Sequence, residues 1–114
     1  MAQAEVSIGI HYNYFNQKTT ITTADSNTAV IAASSAGKTH ITDIVIVSAG
    51  AGAFTLTNDA GTAILGPILV EASVPFIAHF CTPLVNETVN NQVEMDKTAA
   101  VDDWQVYLAG YYAA

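Results

Sequence analysis

Residues 36–67, AGKTHITDIVIVSAGAGAFTLTNDAGTAILGP, alternate runs of β-branched residues with clusters of Gly, Asn, Asp and Pro. That spacing leaves room for short strands and tight reversals and for little else. It predicts a strand over 39–48, a Gly/Ala turn over 49–52, a shorter partner strand over 53–57 and a polar turn over 58–61, followed by a short strand that stops at Gly66-Pro67. Val, Ile and Thr suit a pleated, half-buried surface, and Gly and Asn supply the backbone angles a reversal needs. The local reading is a hairpin meander.

The flanking sequence follows the same period. Val6, Ile8, Ile10, Tyr12 and Tyr14 alternate with Ser7, Gly9, His11 and Asn13, as in a half-buried strand. Asn16, Gln17, Lys18 and the threonines of 19–23 carry little apolar content apart from Ile21, and read as an extended connection or an edge strand. Residues 1–25 thus form an N-terminal strand plus an extended arm. Asp25-Ser26-Asn27 predicts a turn, and 28–33 a short strand. In 39–48, simple alternation groups Ile44 and Ile46 with Thr42, and Ile41, Val45 and Val47 with Asp43. A strand apolar on both faces is central or covered.

Beyond the Gly66-Pro67 break, a short strand is expected over 68–71. Phe76, Ala78 and Phe80 share a face opposite Ile77 and His79, and Pro75 marks an edge or a strand start. Val89, Asn91, Val93 and Met95 alternate with polar residues, as in a one-sided strand facing water. A loop over 97–103 follows. Trp104, Val106, Leu108 and Gly110 give the last strand its inner face, with Gln105, Tyr107 and Tyr111 outside. No segment shows a capped 3.6-residue stripe, so helix content should be near zero. About eight short strands in one domain, residues 1–114, describe an all-β, two-sheet β-sandwich of jelly-roll or Greek-key type.

Charge narrows the function classes. Only 11% of residues are charged, against about 25% in ordinary soluble domains. Such a chain surfaces itself with Thr, Ser, Asn and Ala, or it hides surface against partners. Weakly charged β-rich exteriors invite edge pairing unless something covers them, which favours partners and a homo-oligomer. Lys18, Lys38 and Lys97 are the only strong cations in a chain of net charge −7, so no basic patch exists for nucleic acid. Cys81 is the only cysteine, which excludes an intrachain disulfide and a Cys-based metal framework. The start Met1-Ala2-Gln3-Ala4-Glu5 lacks the basic and apolar regions of a signal peptide. The charge-free stretches 44–58 and 72–86 are too short to span a bilayer. The expectation is a soluble chain made in a cytoplasm, with no membrane partner.

Candidate chemistry is sparse. Residues 32–39, AASSAGKT, satisfy a loose phosphate-loop pattern, but real phosphate loops open a helix, and Thr39 opens a run of strand formers. Gly50-Ala51-Gly52 reads as a turn, and Asp102-Asp103 as a solvated loop. His11, His40 and His79 have no ligand-pair spacing, so no metal site or cofactor is expected. His79 and Cys81 flank Phe80 on one face, without an evident third member for a catalytic triad. Asn86-Glu87-Thr88 is a glycosylation sequon with meaning only in a secreted chain. No catalytic residues emerge. The aromatic groups are the better lead: Tyr12, Tyr14 and Phe15 close the first strand, and Tyr111 and Tyr112 the last. Tyr combines apolar area with a polar tip and is enriched at protein contacts, so these five are candidate protein-contact residues, the alternative being that they cap the core.

The order IAASSAGKTHITDIVIVSAGAGAFTLTNDAGTAILGPI resembles a pattern in small structural proteins of tailed bacteriophages. The matching positions are Ile31, Ala36, Gly37, Lys38, Ile41, Asp43, Ile44, Phe54, Leu56, Gly61, Thr62, Gly66, Pro67, Pro83, Leu84 and Tyr112. The pattern's Gly-Glu before the penultimate strand is replaced by Asn86-Glu87, and residues 1–25 lie outside it. The resemblance implies a jelly-roll virion protein, in particular a capsid decoration (cement) protein. Such proteins sit on the capsid exterior, often as dimers or trimers, and clamp neighbouring subunits of the major capsid protein against internal DNA pressure. The first strand, or the arm after it, would then contact the shell. The alternative is a tail-fibre or baseplate adhesin that stacks host glycans on Trp104 or Tyr107. Neither reading includes nucleotide binding. Micromolar labelled ATP should therefore not be retained by the protein in a filter assay, and saturable retention would restore the phosphate loop.

Overall fold

A computed structural model describes residues 13–22, 25–97 and 103–114. In chain order the strands are β1 (Asn13–Ile21), β2 (Asp25–Ile31), β3 (Lys38–Ser48), β4 (Gly52–Asn58), β5 (Ala63–Val70), β6 (Phe76–Asn86), β7 (Val93–Lys97) and β8 (Trp104–Ala113). They form two four-stranded antiparallel sheets, β1-β8-β3-β6 and β2-β7-β4-β5. The pairs β1–β8, β2–β7, β3–β6 and β4–β5 make one long antiparallel ribbon rolled onto itself, which is the jelly-roll topology. There is no helix among the described residues. The expected all-β sandwich is the observed one.

The core lies between the inner faces. Ile31, Ile41, Ile44, Ile46, Leu56, Val93, Met95 and Trp104 are fully buried in it. On β8 the anticipated inward set, Trp104, Val106, Leu108 and Gly110, is buried throughout. Trp104 packs edge-on against Phe54, and its indole N–H donates to the Gly50 carbonyl at 3.2 Å. Burying so large a ring is worthwhile only because its one polar atom finds a partner.

Several local expectations give way to long-range pairing. Residues 49–52 do not turn a hairpin: β3 already has β8 on one side and β6 on the other, so β4 has no place beside it and crosses to the second sheet. The crossing is held by Ala49 N–H to the Asp103 carbonyl (3.0 Å) and Ser48 Oγ–H to the Glu71 carbonyl (3.0 Å). Asp25-Ser26-Asn27 is not a turn but the start of β2, because Asp25 pairs with Lys97 of β7 and the ladder overrides the local preference. Gly66-Pro67 does not end the strand. β5 runs through it with a cis peptide and a register shift, and an edge position tolerates a residue without an N–H. β7 is not one-sided, since Glu94 and Lys97 are as buried as Val93 and Met95, β7 being flanked by β2 and β4. Residues 16–21 do lie in an edge strand; of the strand expected over 6–14, residues 6–12 lie outside the described residues, and Asn13 and Tyr14 open β1 itself.

β3 is also rephased. A bulge at Thr42–Asp43 sets both residues against Ala109, so Ile41 on one side of it and Ile44 and Ile46 on the other all face inward. Straight alternation had separated them. The residue paired with Ile41, next to the bulge, is Gly110, where an added Cβ would collide with the His40 carbonyl oxygen and crowd the Phe15 ring. Gly110→Ala should therefore destabilise the fold by about 1–3 kcal/mol or more, read as a lower urea midpoint.

Candidate interaction surface

The described candidate contact residues split between two faces of the first sheet. Phe15 and Tyr112 point inward. Phe15 is 8% exposed and packs on Tyr112 with ring centroids 5.1 Å apart. The Tyr112 hydroxyl donates to the Ala32 carbonyl at 2.8 Å, and burial pushes its phenol above the usual tyrosine range. Phe15 belongs to the buried core, its ring over Gly110, and Tyr112 packs partly buried against that core, the arrangement of the core-capping alternative. Tyr14 and Tyr111 point outward, with Tyr14 60% exposed. Tyr12 lies outside the described residues.

The strand register aligns the outer face in rows that no sequence spacing reveals. One row runs Tyr14, Tyr111, His40, Val85 across β1, β8, β3 and β6. Tyr14 meets Tyr111 edge-on at 6.2 Å, and Tyr111 stacks on the His40 imidazole at 4.8 Å. His40 Nδ1 lies 3.0 Å from the Lys38 carbonyl, a contact that fixes the ring plane if that nitrogen carries the proton. A second row runs Lys18, Tyr107, Val45, Ile77, with the Lys18 ammonium over the Tyr107 ring at 5.8 Å. Ile77, Tyr107 and nearby Val47 are exposed. Cross-strand pairs of this kind stabilise the sheet, and here they gather large side chains on its outer face.

Between the rows lie Asn16, Ala109, Asp43 and His79. The bulge turns Asp43 toward β6, where its Oδ1 meets His79 Nδ1 at 2.7 Å, and the Thr42 hydroxyl donates to Oδ2 at 2.8 Å. The hydrogen bond to His79, then that from Thr42, hold the Asp43 carboxyl below its ordinary value, with slight burial opposing and the His79 charge assisting. This is the partner that sequence reading failed to find for His79. Nothing in the spacing of Asp43 and His79 announces it, because the pairing depends on residues 80–83 of β6 standing opposite Thr42 alone. Cys81 sits in that offset segment and is exposed, and the ion pair is largely open to water. Among the described residues no three His, Cys, Asp or Glu side chains converge as a metal site.

The sheet edges are mostly blunted. β6 carries the offset at 80–83 with Pro83 inside it, β5 carries Pro67, and β2 has two register shifts. Such irregularities discourage strand addition. β1 differs: its nine pairs with β8 are in unbroken register, and no strand flanks its other side among the described residues. At the β5–β6 connection a shallow cleft of about 220 Å³ is lined by Leu69, Val70, Glu71, Val74, Pro75 and Phe76.

No protein-family model matches this chain, and no curated protein is significantly similar to it in sequence.

The Asp43–His79 pair has a definite pH signature. Its folded-state carboxyl lies below the ordinary value of 3.8. The stability it adds is therefore complete above that value and is lost as pH falls through the lowered one. With both side chains largely exposed, the contribution should stay below about 1 kcal/mol. Asp43→Asn should flatten the acid limb of the stability–pH curve, measured by chemical denaturation between pH 2 and 5, and leave the curve near neutrality displaced by no more than that amount.

Proposed function

We propose that this chain is a non-enzymatic virion structural protein, in particular a capsid decoration (cement) protein that docks on the outer head surface and bridges subunits of the major capsid protein. The observation that carries this reading is the outer face of the β1-β8-β3-β6 sheet, where Tyr14, Tyr107, Val47 and Ile77 stand exposed in or beside registered rows that also hold Lys18, His40, Asp43 and His79. Large apolar side chains clustered on one face are what a protein partner buries. The regular outer edge of β1 adds a place for strand pairing. The phage resemblance supplies the partner class, the net charge of −7 suits a position away from packaged DNA, and the jelly roll is an architecture used by capsid proteins.

A second reading is a tail-fibre or baseplate adhesin for host glycans. Trp104 has no solvent exposure and is unable to stack a sugar, which leaves Tyr107 as the available ring. Immunogold labelling of virions separates the two by head or tail location.

In the cementing reading, Tyr14→Ala and Ile77→Asp should keep the wild-type unfolding midpoint within about 0.5 kcal/mol and weaken binding to particles stripped of the protein by about tenfold or more. Tyr112→Ala should instead lose stability, since its ring fills the core. Stripped particles should also be less resistant to heat. Equal heat resistance with and without the protein, or undiminished binding by both surface variants, would sink the proposal.

A further inference from the structure

The second sheet holds a conflict that the docking face does not explain. Glu94 lies on its outer face, directly opposite Thr57 of β4, with the core residues Val93 and Met95 pointing the other way. Glu94 and Thr57 are each only 3% exposed, and Glu94 Oε1 and Thr57 Oγ1 both lack a hydrogen-bond partner. A buried polar oxygen left unpaired costs about 1–3 kcal/mol, and more if it is charged. Two such atoms sit on paired residues of adjacent strands.

A second carboxylate is fixed beside them. Asp59 heads the β4–β5 turn, which Asn58 ties by accepting from the Ala60 and Thr62 N–H groups at 2.9 Å each. The Asp59 N–H donates to Asn91 Oδ1 at 3.0 Å, and Asn91 is itself gripped by the buried Asn86. The Gln92 amide nitrogen then bridges the two acids, at 2.5 Å from Glu94 Oε2 and 3.4 Å from Asp59 Oδ1. The Gln92 hydrogen bond lowers the Glu94 pKa, but the contact with Asp59, burial and the charges of Asp59 and Asp96 outweigh it and push Glu94 above the ordinary glutamate range. Acidic groups thus crowd this end of the sheet.

We propose that Glu94, Asp59, Thr57 and Gln92 form a divalent-cation site, with calcium the best-fitting ion. The donor set is oxygen only, which suits a hard cation and not zinc. Two carboxylates balance the ion's charge. Glu94 Oε1 and Thr57 Oγ1 are the unclaimed oxygens, and turning the Gln92 amide over presents its carbonyl in place of its NH₂. Calcium accepts irregular shells completed by water, whereas magnesium demands a near-octahedral one. Glu94 is on a sheet face and not between the sheets but is itself buried, so the ion would enter from the side of the exposed Asp59 and shed part of its hydration to reach Glu94. With two carboxylates, and no third acidic, histidine or cysteine side chain converging on them among the described residues, the affinity belongs to the weak class, about 10⁻⁴–10⁻³ M. The bound ion would tie the β4–β5 turn to β7.

The test is a calcium chloride titration of the chelator-treated full chain, followed by thermal unfolding and by calorimetry, with sodium chloride at matched ionic strength as control. The expected result is a calcium-specific rise in unfolding temperature, half-maximal between about 0.1 and 1 mM. Glu94→Gln and Asp59→Asn should each weaken that response by about tenfold or more, and Glu94→Gln should unfold at a higher temperature than wild type without calcium, because a crowded charge is gone. Asp59 is exposed, so its variant keeps the test open if the Glu94 variant fails to fold. A wild-type protein indifferent to calcium overturns the proposal, as does a response that survives in the variants. Calcium indifference with stability that grows as pH falls would identify a proton shared by Glu94 and Asp59 in the ion's place.

Discussion

Where β3 gains its extra residue at Thr42–Asp43, opposite Ala109 of β8, the adjoining pair is Ile41–Gly110, and the missing side chain of Gly110 lets the His40 carbonyl come close. A strand has period two, so one inserted residue inverts the facing of everything after it. Without that insertion, Ile41 or the pair Ile44 and Ile46 would face water. With it, β3 delivers all three to the core, and β8 meets them with Val106 and Leu108. The central ladder of the first sheet, and through it the packing of Phe15, Tyr112 and Trp104, rests on this local irregularity.

The same bulge shapes the outer surface. It turns Asp43 toward His79 and sets a small polar band between two aromatic rows. The rows owe their exposure to what lies beneath: inward positions on β1, β8 and β3 are taken by the core set, so Tyr14, Tyr107 and Tyr111 have only the outside left to occupy. Three of the four sheet edges are irregular, while this face carries large side chains in register on either side of the polar band. Among the described residues β1 is the one edge strand in unbroken register, and the irregular edges discourage the indiscriminate edge pairing that low charge would otherwise invite.

The second sheet departs from that consistency at one end. Most of its positions agree with burial and alternation, yet Glu94 and Thr57 bury oxygens that no neighbour satisfies, next to a turn whose asparagines are bonded with care. Natural sequences hold local and global preferences in agreement, and the places where they fail to do so tend to be functional. The buried Thr39 hydroxyl of the first sheet is also without a partner, but among the described residues only at Glu94 and Thr57 do two such oxygens stand on paired residues beside a second carboxylate, which points to something bound there.

Strand-by-strand facing was legible from the sequence. Trp104, Val106, Leu108 and Gly110 inward, Phe76, Ala78 and Phe80 opposite Ile77 and His79, and the hairpin at Asn58–Gly61 all follow from alternation and turn chemistry among near neighbours. What alternation does not carry is which strand lies beside which. The crossing after Ser48, the absorption of Asp25–Asn27 into β2, the inward fate of Phe15 and Tyr112, the meeting of Asp43 with His79 and that of Glu94 with Asp59 were decided when distant segments closed their ladders. The period of a strand is a property of adjacent residues and is written in their order. Register and sheet membership are settled only once every backbone N–H and carbonyl has found a partner, and those partners come from far along the chain.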